Sequence, residues 1–167
     1  MVTESEVDSF LVAEKWVRRE TAGAQIGWQV SGMTTAVAVL PIETPGPPAA
    51  TLRLVTSYIV QRNWNFVLQL EGQEVAAWHF KHGPHRNCGC PSRFPRKVRA
   101  PHEHVWVEEH DLTCAIPIDG ASQSEPATHR ECLNAFCERF NLHLEPAYMT
   151  PPAGEQMVLM PLMGEMR

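Results

Sequence analysis

Five histidines and two cysteines crowd one stretch of the chain: His79, His82, His85, Cys88, Cys90, His102 and His104 lie within 26 residues, out of eight histidines and five cysteines in all. Neutral imidazole and thiolate are the donors that zinc takes in a tetrahedron. His85-x2-Cys88-x-Cys90 together with His102-x-His104 therefore offers up to five ligands for one ion. Gly89 between the cysteines, with Pro84 and Pro91 flanking them, suits the tight turn that a two-ligand knuckle needs. Histidine also has a use without metal. At an ordinary pKa of about 6.5 it takes or gives a proton near neutrality. Metal-free RNA cleavage needs a base for the 2'-hydroxyl, an acid for the leaving oxygen and cations for the phosphorane charge. His85, His102 and His104 are the candidates for those proton transfers.

The same stretch gathers positive charge. Lys81, Arg86, Arg93, Arg96, Lys97 and Arg99 are six of the fourteen Lys and Arg residues, in a chain whose formal net charge is -5. An acidic protein that focuses its cations beside histidines presents a local site for an anion, phosphate above all. Arg86, Arg96, Lys97 and Arg99 are the expected phosphate contacts, and Phe94 and Trp106 are placed to stack on bases. Acidity of the whole excludes a protein that coats nucleic acid over its entire surface.

These residues need elements to hold them. The 167 residues suffice for one domain with a core. Residues 5–19 repeat apolar side chains at helical spacing (Val7, Phe10, Leu11, Val17), with Gly23 just beyond as a stop. Residues 26–31 and 34–42 read as strands around Ser31-Gly32, and the proline-rich 43–50 as a connector. From residue 52 the pattern turns to period two. Trp64, Phe66, Leu68 and Leu70 share a strand face, and Glu71-Gly72-Gln73 turns into a strand over 74–80. His102, His104 and Trp106 alternate with Val105 and Val107, so His102 and His104 project from one face of a strand, with 113–118 returning beside it. Ser122 to Glu125 has the capping-box pattern before a helix over 126–141, whose stripe is Leu133, Phe136, Cys137 and Phe140. Residues 156–163 could add an edge strand. The expected class is α+β, a single antiparallel sheet with a helix near each end of the chain.

Cys114, Cys132 and Cys137 sit among apolar neighbours and read as buried core thiols. Five cysteines at irregular spacing make a poor disulfide framework. An acidic N-terminus and no apolar run near the roughly 18 to 20 residues of a membrane span point to a cytoplasmic protein.

The order F-V-L-Q-L-E-G-Q-E-V, then G-P-H, F-P and P-H-E-H, over about residues 64 to 106, resembles small bacterial proteins of the TumE toxin type. By position, His85 corresponds to that family's first histidine and His102 and His104 to its later cluster. Where the family has Arg-Tyr-Asp, this chain has Trp78-His79-Phe80, and the Cys88-Cys90 knuckle is additional. The resemblance implies an RNA-directed toxin with a cognate antitoxin as partner. The alternative from a different class is a non-enzymatic interaction module pinned by zinc through His85, Cys88, Cys90 and His102 or His104.

Overall fold

Thr3 opens helix α1 (Glu4–Val12): its hydroxyl accepts the Glu6 backbone N–H, and the Glu6 carboxylate accepts the Thr3 N–H in return. The helix stops at Val12, well short of the residue 19 that apolar spacing suggested. Lys15 is the reason. Its side chain is fully buried, and its ammonium donates to the carbonyls of Phe10, Leu11 and Ala13 at 2.7, 3.1 and 2.6 Å. Three N–H groups thus meet carbonyls that the helix end leaves unpaired. Burial brings Lys15 down to about 8, so it stays mainly charged at neutral pH. The chain is extended by then, as strand β1 (Lys15–Val17), and a short α2 (Arg19–Ala22) follows, closing at Gly23.

The computed structural model describes residues 2–44, 49–60, 62–80, 83–108, 114–118 and 128–152. Within them the period-two segments become β2 (Gln29–Ser31), β3 (Thr35–Ile42), β4 (Ala50–Ser57), β5 (Trp64–Leu70) and β6 (Gln73–His79). A small hairpin follows, β7 (His85–Arg86) and β8 (Lys97–Val98), and then β9 (His102–Val105) and β10 (Cys114–Pro117). β2, β3, β4, β5, β6, β9 and β10 lie in that order in one antiparallel sheet. Strand order follows chain order, with the β7–β8 hairpin inserted before β9. The turn between β5 and β6 has Glu71 at φ 52° and Gly72 at φ 80°, the two left-handed residues that match the twist of a tight hairpin.

Helix α3 (His129–Arg139) covers one face. Its N-cap is Thr128, in a capping box with Glu131, so the helix begins later than 126. The Ser122–Glu125 pattern and the strand expected over 156–163 lie outside the described residues. Leu133, Phe136 and Phe140 are buried against Phe66 and Trp78, with Phe136 ring centroids 5.6 and 5.4 Å from theirs. Leu52, Leu54 and Leu68 continue that core along the same face. Strand β11 (Leu142–Leu144) then pairs parallel with β1, so the segment after α3 lies beside the one after α1. Cys132 and Cys137 are buried free thiols, pushed up by desolvation to about 11 and about 12. Cys114 is buried too but is no thiol: it forms a disulfide with Cys90. The reading of Cys114 as a buried core thiol is corrected by that crosslink, its burial apart. The architecture is α+β, as the pattern of elements implied.

Candidate metal centre

β9 is held between β6 and β10, and that register builds the site. His79 lies directly opposite His102, and Ala77 opposite His104. Successive side chains of a strand alternate between faces, so His79, His102 and His104 leave the sheet on the same side. Glu103, between the two histidines, points to the other side, where Trp78 Nε1 donates to its carboxylate at 3.0 Å and Arg139 lies 3.4 Å away. One strand thus sends a carboxylate to the helix-covered face and two imidazoles to the opposite one.

His79, His102 and His104 bring one donor nitrogen each to within 4.8 Å of one another. The Nε2 atoms of His102 and His104 are 3.1 Å apart. Two nitrogens each about 2.0 to 2.1 Å from a tetrahedral ion would be roughly 3.3 Å apart, so the pair needs little movement to share one. The three imidazoles can hold a metal ion. His102 is 1% exposed and His104 8%, while His79 is half-buried.

His85 reaches this face from the β7–β8 hairpin, its ring centroid 4.7 Å from that of His104 and 5.6 Å from that of His102. It neighbours the three-nitrogen cluster without belonging to it. Two devices fasten the hairpin to the edge strand. The Asn87 side chain donates to the carbonyls of Pro95 and Ala115 and accepts the Ala115 N–H, and the Cys90–Cys114 disulfide adds a covalent tie.

Of the expected ligands, His102 and His104 are therefore brought together and His85 stands beside them. The cysteine half of the set is not there. Cys90 Sγ is bonded to Cys114, which removes it as a thiolate, and Cys88 is an exposed free thiol outside the cluster. His79 replaces them. Its signal was available in the strand expected over 74–80, in which it lies, but only the pairing register shows that it faces His102.

Arg86, Arg96, Lys97 and Arg99 are exposed on the hairpin, as is Arg93, and Arg86 lies opposite Lys97 in its ladder. Among the described residues no ion pair joins these five cations to an acid. Trp106 is different. It follows the last residue of β9, is 8% exposed and belongs to the hydrophobic core cluster. A buried indole has no free face to stack on a base, so Trp106 is corrected from a binding residue to a core one. Lys81 and His82 lie outside the described residues. No family model, no curated protein and no solved structure matches this chain.

Proposed function

We propose that the protein binds zinc through His79, His102 and His104 and acts on the phosphodiester backbone of RNA, as a toxin restrained by a cognate antitoxin. The observation that carries the reading is the three-histidine cluster itself, with its 3.1 Å Nε2 pair, on the face where the basic hairpin stands. Three neutral nitrogens match zinc, and a three-ligand set is the one that leaves a fourth position free for chemistry. Bound by His79, His102 and His104, zinc would supply a lowered pKa for water and polarisation of a phosphoryl oxygen. The chain's own residues do the rest. β6 and β9 fix the imidazoles in place, and the exposed Arg86, Arg96, Lys97 and Arg99 attract and orient the phosphates. His102 and His104 act as ligands in this reading rather than as direct acid and base, since a ring nitrogen that holds the ion has no lone pair left to take a proton.

The test measures metal content and RNA cleavage on the same preparations. About one zinc per chain is expected, with loss of metal in His79→Ala and in His102→Ala and loss of cleavage on chelation. A wild type that takes up no zinc and is not stabilised by it would overturn the metal assignment. The burial of His102 and His104 favours a second reading, in which the same ion is structural and the hairpin is a protein-binding module. That reading prevails if the zinc-loaded protein neither cleaves RNA nor slows growth when expressed.

A further inference from the structure

The Cys90–Cys114 disulfide joins residues 24 apart in sequence and ties the basic hairpin to the sheet edge. Cys114 is wholly buried and Cys90 half-buried, so the Cys114 end of the crosslink is closed to solution and the Cys90 end is partly covered. Cys88, by contrast, is exposed with a free thiol. Only Gly89 separates it from Cys90, and Gly89 has a φ of 84°, a left-handed conformation that bends the chain back. Residues on either side of a single residue have Cα atoms at most about 7 Å apart. A turn shortens that into the roughly 4.4 to 6.8 Å that a disulfide spans.

We propose that Cys88, Cys90 and Cys114 form a thiol–disulfide exchange relay, through which a small thiol reductant reaches the half-covered crosslink. In the first step the Cys88 thiolate attacks Sγ of Cys90. A Cys88–Cys90 bond forms as the Cys90–Cys114 bond breaks, and Cys114 leaves as a thiolate that takes up the proton Cys88 released. Nothing is oxidised or reduced overall. In the second step an external thiolate attacks the sulfur of Cys88, now at the surface, giving a mixed disulfide and a Cys90 thiol. A second external thiol resolves it, so two thiols become one disulfide and the protein gains two electrons and two protons.

The balance between the two crosslinks depends on docking. A Cys88–Cys90 ring encloses a single residue and restrains the open chain hardly at all. With the hairpin docked, Asn87 keeps Cys90 beside Cys114. Once the hairpin lifts, the near neighbour Cys88 is the better-placed partner. The relay therefore couples the redox state of the protein to the position of the hairpin that carries His85 and the exposed arginines. It does not depend on metal being bound.

The test uses the full chain, purified without reductant. Wild type and Cys88→Ser are exposed to reduced glutathione at neutral pH, quenched with acid, alkylated and mapped without reduction. The wild type should lose the Cys90–Cys114 crosslink faster, on the order of tenfold, because burial of Cys114 hinders direct attack while Cys88 stands one residue from Cys90. Cys88–Cys90 or Cys88–glutathione species should accumulate first. Cys114→Ser, in which the native crosslink cannot form, should show a Cys88–Cys90 bond and lose maleimide labelling at Cys88. Equal reduction rates in wild type and Cys88→Ser would overturn the proposal, whether or not Cys114→Ser folds. So would a Cys114→Ser chain labelled fully at both Cys88 and Cys90, or an air-purified wild type in which Cys90 and Cys114 are both free.

Discussion

His129 owes its acid–base behaviour to the rings around it. Trp28, Trp64 and Phe66 approach it edge-on with centroids at 5.7, 5.2 and 5.1 Å, and Nδ1 lies 2.9 Å from the Tyr148 hydroxyl. Nε2 has no hydrogen-bond partner among the described residues. Burial lowers its pKa from 6.5 to about 4. Between those values the unfolded chain holds a proton that the folded one refuses. The contribution is thus complete above pH 6.5 and lost as pH falls toward 4, on the order of 3 kcal/mol in all. Urea melts at pH 7 and pH 4.5, in chelator, should show a smaller acid loss for His129→Phe than for wild type; equal losses would disprove the assignment. At this scale the sequence was partly readable. The H-x-H alternation announced that His102 and His104 share a face. The role of His79 was hidden, because it depends on which strand comes to lie beside it after a long excursion. The fate of Cys90 was equally hidden, since cysteine spacing does not determine disulfide connectivity.

The elements succeed where local chemistry agrees with tertiary packing. The Glu71-Gly72 turn was legible because a tight hairpin demands left-handed residues there. The α3 stripe was legible because helical spacing is set by geometry alone. Phe136→Ala in that stripe should cost about 3 to 5 kcal/mol in a denaturant melt, because the ring is fully buried between Phe66, Trp78 and Phe140. Thr128→Ala should cost about 1 kcal/mol by removing the capping box. A cost for Phe136→Ala below about 1 kcal/mol would mean the helix does not pack as described. α1 was overextended for the converse reason. Val17 fits the helical spacing, yet capture of three carbonyls by the Lys15 ammonium is a buried polar interaction that no apolar pattern encodes.

For the molecule as a whole, charge distribution decides how it meets a partner. A net charge of -5 would repel a polyanion at a distance, while the exposed hairpin cations would favour one locally. Arg96→Ala with Arg99→Ala should weaken binding to single-stranded RNA and reduce the slope of log affinity against log salt by about 1.4, at roughly 0.7 for each phosphate no longer neutralised. An unchanged slope would mean that these arginines face away from the RNA. Zinc at a hundred times its dissociation constant should stabilise the wild type by about 2.7 kcal/mol and leave His102→Ala unaffected. Calorimetric melts with and without metal measure both.

The sheet grows strand by strand along the chain from β2 to β6 and only then detours through the hairpin before β9 arrives. As the chain leaves the ribosome, His79 is therefore in place while its two companions have yet to be added. The first five strands can assemble from neighbouring turns alone, and the three-histidine cluster waits for β9 to close onto β6 across the hairpin. Zinc should consequently slow the unfolding of the finished protein far more than it speeds folding, because the centre is absent from an early nucleus. Stopped-flow folding and unfolding rates with and without zinc would show it, and an acceleration of folding equal to the slowing of unfolding would place the closure of β9 at the start.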